Sequence, residues 1–139
     1  MNSNELKGRK IVTPCYNHLG GILGEALFTF LVKEKWIQKD KNDIDYNITQ
    51  KGWEELEIFG IDIEKLRSTE KKIVTACIEQ HYGIYHKHTG ALLGSLITDL
   101  LIELGWIAKK QENQLKVTKK GLHGLNALGV NIKNIIEIL

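Results

Sequence analysis

Three blocks of this sequence occur twice, in one order and at nearly one spacing, and that recurrence limits the available folds more than any other feature. Residues 9–15 read RKIVTPC and residues 71–77 read KKIVTAC. HLGGILGEALFTFLVKEKWI, from His18, aligns without a gap to HTGALLGSLITDLLIELGWI, from His88. TQKGWEELEIFGIDI, from Thr49, matches TKKGLHGLNALGVNI, from Thr118. From 9 to 71, 18 to 88 and 49 to 118 the offset is 62, then 70, then 69. The second copy therefore carries eight extra residues within EQHYGIYHKH and a later hairpin one residue shorter. The reading is a duplication, with one unit over 1–67 and the other over 68–139.

Each copy predicts the same elements. Leu19, Ile22, Leu23, Ala26, Leu27, Phe30 and Leu31 fall at helical spacing, as do Leu92, Leu93, Leu96, Ile97, Leu100, Leu101 and Leu104. The first helix should end near Lys35 and the second at Gly105. Two short strands follow, Trp36-Ile37 with Asp45–Ile48 and Trp106-Ile107 with Leu115–Val117. Thr49 and Thr118 stand as N-caps of closing helices that Gly60 and Gly129 stop. Ahead of the second unit, Ser68-Thr69-Glu70 reads as a helix start, with Ile73, Val74, Cys77 and Ile78 as its apolar face. Pro14 predicts a shorter or broken helix at the matching place in the first. The expected fold is α+β and mainly helical: two tandem winged-helix-like repeats, each helix–helix–hairpin–helix, packed as one pseudo-symmetric unit.

Composition agrees with a packed protein: hydrophobic residues are 42% and charged ones 26%, close to globular averages. No apolar run is long enough for a bilayer, and MNSNELKGRK has no secretory core, so a cytoplasmic protein without membrane contact is expected. Two cysteines are too few for a disulfide scaffold, and in a reducing compartment both remain thiols. A net charge of +2 means that any nucleic-acid surface must be local.

Helix, Gly-Trp-Ile, hairpin and then Thr-x-x-Gly-x-x-x-Leu, written here as TQKGWEEL and TKKGLHGL, resembles the second half of a winged helix. More narrowly, CYNHLGGILGEALFTFLVKEKWI is similar to the segment that follows the DNA-binding domain in a group of ArsR-type bacterial regulators. The resemblance runs from about Arg9 to Ile132. It implies a role in transcription, as a C-terminal half without the usual N-terminal helix-turn-helix domain. DNA contact is accordingly direct and weak, or made through a separate helix-turn-helix protein, and a homodimer through helix faces is expected.

Charge separates the two wings. Lys109, Lys110, Lys116, Lys119 and Lys120 face only Glu112 in the second, whereas lysines and aspartates cancel in the first. If a wing touches phosphate it is the second, giving affinity without sequence readout; the alternative is a solvated hairpin whose lysines prevent edge pairing. Cys15 and His18 are three apart, at a spacing that can share a helix face, and Cys77 precedes His81, His86 and His88. Thiolates and imidazoles from both copies, taken from Cys15, His18, Cys77, His86 and His88, can build a tetrahedral site for zinc or another transition metal. The resemblance implies the same, since many ArsR relatives sense metals. Against this stand buried packing for the cysteines and a capping role for His18 and His88. Otherwise no resident cofactor is expected, and no nucleophile–base–orienter set marks an enzyme. Trp36 and Trp106 read as core anchors. Gly20, Gly21, Gly24, Gly90 and Gly94 read as sites of close helix contact, since no phosphate-loop lysine follows.

Overall fold

The computed structural model describes residues 10–15, 17–111, 114–130 and 132. Hairpin β1 (Thr13–Cys15) and β2 (His18–Gly20) leads into helix α1 (Gly21–Lys33). Hairpin β3 (Ile37–Lys39) and β4 (Tyr46–Ile48) follows, then α2 (Gln50–Phe59) and the short α3 (Ile63–Arg67). Hairpin β5 (Thr75–His81) and β6 (Ile84–Gly90) leads into α4 (Ala91–Glu103), and β7 (Ile107–Gln111) and β8 (Gln114–Val117) precede α5 (Lys119–Leu128). Among the described residues, every sheet is a two-stranded antiparallel pair.

The mainly helical, winged-helix-like expectation is overturned. The described residues are 43% helix and 30% strand, in five helices and four two-stranded sheets. Where a helix was expected over Ile73–Gln80, and a broken one around Pro14, the chain forms β5 and β1. Among the described residues, a β-hairpin rather than a helix leads directly into each long helix, unlike the helix pair of a helix-turn-helix. The local reasons are physical. Ile73, Val74, Thr75 and Ile78 are β-branched, which suits a pleated strand better than a helix. Tyr82 (φ 50°) and Gly83 (φ 79°) both take the left-handed conformation that a two-residue hairpin turn demands. Pro14 is tolerated because a two-stranded sheet has only edges.

The later elements form where the periodicity places them. Thr49 Oγ1 accepts a hydrogen bond from the Gly52 N–H at 2.9 Å and Thr118 Oγ1 from the Gly121 N–H at 2.9 Å, capping α2 and α5. Gly60 (φ 116°) and Gly129 (φ 114°) end those helices in left-handed caps. Trp36 is buried with its ring edge-on to Phe30, while Trp106 is half-buried, lying against Phe59. The wing turn at Glu112 and Asn113 lies outside the described residues.

One apolar core joins both halves: Leu23, Leu27, Leu31, Leu56 and Leu66 share it with Leu93, Ile97, Leu101, Ile107 and Leu125. The helices pack crosswise over it. α1, from the first half, lies against β6 of the second, and α4 lies against β2 of the first. This exchange brings the two leading hairpins, and their cysteines and histidines, to one place.

Candidate metal centre

Cys15 and His18 do not share a helix face; they are direct cross-strand partners in β1–β2. Cys77 and His88 are partners in the same sense in β5–β6. Opposed residues of an antiparallel pair project on one side of the sheet, so each hairpin offers one thiol and one imidazole. The two sets meet. The ligating atoms of Cys15, His18, Cys77 and His88 all lie within 4.8 Å of one another. The two imidazole rings are 5.0 Å apart, centroid to centroid.

Glycines admit this crossing. A Cβ on Gly24 of α1 would stand 3.1 Å from the Cβ of His88, and one on Gly94 of α4 would stand 3.0 Å from the Cβ of His18. Each histidine is therefore backed by a helix of the other half. Where close helix contact was expected, hairpin backbone and histidine Cβ atoms approach Gly24 and Gly94 instead: backbone oxygens of Leu19 and Thr89 come closest, at 2.4 and 2.2 Å from those Cβ positions. A capping role for the histidines does not hold, because the N-caps are Gly20 and Gly90, neither with a side-chain cap.

The distances suit a tetrahedral ion. Two thiolates at about 2.3 Å from zinc are about 3.8 Å apart at the tetrahedral angle; Cys15 Sγ and Cys77 Sγ are 3.9 Å apart. A disulfide would require about 2.05 Å, and both cysteines are free thiols. His18 (7% exposed) and His88 (1%) are buried. Burial, with the neighbouring imidazole for His18, holds both below the ordinary imidazole range, so at neutral pH they carry lone pairs rather than charge. Neither ring nitrogen of His88 has a hydrogen-bond partner among the described residues. A fully buried polar ring in that state is costly unless something else accepts its lone pair. Burial, and then Cys77 beside it, push the Cys15 thiol up to about 11. A cation would reverse that balance by pairing with thiolate.

His86, the fifth ligand candidate, is elsewhere. Its Nδ1 lies 2.5 Å from Glu25 Oε2, in a partly buried pair between β6 and α1. Residue typing also passes over Glu79. Its Oε1 accepts the Gly21 N–H at 3.0 Å and lies 4.0 Å from His88 Nδ1. Period-two spacing from Cys77 to Glu79, and from His86 to His88, across the Tyr82-Gly83 turn was the available signal.

The lysines of the second wing are all exposed: Lys109, Lys110, Lys116, Lys119 and Lys120. The first three are carried by β7 and β8, and Lys119 and Lys120 open α5.

Over 120 residues, 86% of this chain, the sequence is 23% identical to the uncharacterized HTH-type transcriptional regulator YdfF of Bacillus subtilis strain 168. The match takes in 51% of that protein, so the chain spans about half the length of the curated relative it matches. No protein-family model matches the chain, and no solved structure does. No helix among the described residues is long and apolar enough to cross a membrane.

Proposed function

We propose that this chain is a metal-responsive module of transcription regulation, in which Cys15, His18, Cys77 and His88 bind a zinc-class divalent cation. One observation carries the reading: two thiols and two buried neutral imidazoles, from hairpins far apart in sequence, converge within 4.8 Å with sulfurs at tetrahedral spacing. Thiolate and imidazole donors select zinc and its soft neighbours over calcium or magnesium, which take oxygen. A bound ion would supply positive charge that holds both thiols ionised. The chain's residues do the rest: β1–β2 and β5–β6 present the donors, Gly24 and Gly94 let the helices close behind them, and the two hairpins become pinned to each other. Binding to the folded form alone stabilises it by about 2.7 kcal/mol at a hundredfold excess of free ion over Kd. The likeness to the HTH-type regulator supports the regulatory part of this reading.

The test is cobalt titration of the chelator-stripped full chain. One equivalent should bind at micromolar ion with the absorption of tetrahedral thiolate coordination, and Cys15→Ser or Cys77→Ser should remove it. A wild-type protein that takes up no ion at that concentration refutes the reading.

A second reading, weak DNA binding through the second wing, is favoured by Lys119 and Lys120. They lie in the first turn of α5, where the helix dipole disfavours cations, so helix stability does not explain them. Replacing Lys109, Lys110, Lys116 and Lys119 with Ala should abolish a salt-sensitive gel shift; an unaltered shift rejects it.

A further inference from the structure

We infer that Glu79 is a positioning residue that ties occupation of the four-ligand site to the N-terminus of helix α1. The inference rests on the metal reading above and adds how the site is regulated.

Glu79 follows Cys77 by two residues on β5, so both project from one face of the hairpin. Hairpin β1–β2 is too short to offer a matching position, since two residues beyond Cys15 the chain is already in its turn. The longer hairpin β5–β6 supplies this carboxylate. It sits between two groups. Its Oε1 accepts the Gly21 N–H, the first amide of α1, and lies 4.0 Å from Nδ1 of His88. Both partners close over a bare Cα: a Cβ on Gly20 would meet Glu79 Oε2 at 3.2 Å and His88 Cε1 at 3.3 Å. α1 has no side-chain cap of its own and no acidic residue in its first turn, so Glu79 provides the negative charge that a helix N-terminus favours.

Because Glu79 stands on the Nδ1 side of His88, Nε2 is the atom left to ligate an ion. A metal on Nε2 fixes the proton on Nδ1, and that N–H then donates to Glu79, as carboxylates commonly orient metal-bound histidines. Closing the present gap by about 1 Å completes the bond. Occupation thus draws Glu79 towards His88 while it still holds Gly21, and the first turn of α1 is fixed. Metal-free, His88 can carry its proton on either nitrogen, and the tie is loose.

The experiment uses the full chain, stripped of metal, with cobalt as the optical probe and zinc for hydrogen exchange. Glu79→Gln keeps an oxygen for the Gly21 N–H. It should leave the tetrahedral cobalt spectrum unchanged in shape but weaken binding about 10–100-fold, with Glu79→Asp recovering part of the loss. Zinc should slow exchange of the Gly21 amide in wild type and not in Glu79→Gln. If wild type binds cobalt but Glu79→Gln binds as tightly, or zinc leaves Gly21 exchange unaltered in wild type, the tie is wrong and the metal site stands. If wild type shows no cobalt spectrum, the metal reading itself falls, and this inference with it.

Discussion

Replacing Gly24 or Gly94 with alanine inverts the usual rule for helices. In an exposed helix interior this change stabilises by about 1 kcal/mol, through propensity and a less flexible unfolded chain. Here the added methyl at Gly24 would stand 2.4 Å from the Leu19 carbonyl oxygen and 3.1 Å from the His88 Cβ. At Gly94 the corresponding contacts are 2.2 Å to Thr89 O and 3.0 Å to the His18 Cβ. Backbone oxygens cannot swing aside as a flexible side-chain end can. Leu19 is paired to Pro14 and Thr89 to Ala76, so relief must displace a whole hairpin. Overpacking of this kind costs about 1–3 kcal/mol, and a backbone clash puts the cost at the upper end. Set against the propensity gain, each variant should lose about 1–2 kcal/mol. Urea unfolding of the metal-free protein, followed by circular dichroism, measures this as a lower midpoint at unchanged slope. The displaced histidine should also weaken cobalt binding. A Gly24→Ala protein as stable as wild type would refute the claim that hairpin and helix are in contact there.

His88→Gln should abolish the tetrahedral cobalt spectrum, whereas His86→Gln, which breaks only the pair with Glu25, should leave it intact; loss in both would mean the ligand set is misassigned. The raised Cys15 thiol gives two pH effects. Near neutral pH, ion binding must expel its proton, so affinity should rise with pH by up to about tenfold per unit for each proton released, measurable by calorimetry in buffers of differing ionisation heat. Without metal, the folded thiol titrates near 11 against an ordinary 9.0, so the fold favours the protonated form; its stability is undiminished below pH 9 and falls as pH rises towards 11, seen as a declining urea midpoint. Thr118→Ala removes the cap of α5 and should cost about 1 kcal/mol, read as a lower Tm with metal affinity unchanged, since α5 holds none of the four ligands.

The sequence makes the two long helices, their hairpin wings and the capped closing helices legible, because Leu and Ile recur at 3.6-residue spacing and Thr and Gly mark the ends. The leading hairpins were hidden. Ile73, Val74, Cys77 and Ile78 satisfy a helical face as well as they do a strand, and short apolar runs do not separate the two periods. What decides is the Tyr82-Gly83 turn, and Tyr at left-handed φ is too rare to anticipate. The same error concealed the site's construction. All five ligand candidates were named by residue type; that four of them converge depends on antiparallel register and on the crosswise packing of α1 and α4. His86 and His88 differ by two residues on one strand, and only the register shows that His88 faces Cys77 while His86 faces Glu79.

The crosswise clasp has a consequence for assembly. Because the histidine of each half packs through its Cβ against a glycine of the other's helix, the embrace does not depend on which covalent chain delivers the helix. Shortening or stiffening the connection around Ser68–Lys72 would let the front of one molecule grip the back of another. Straining that link is expected to yield intertwined dimers that exchange whole halves and keep both Cys–His clusters, seen as a doubled mass in size-exclusion chromatography; a variant that stays monomeric would refute this.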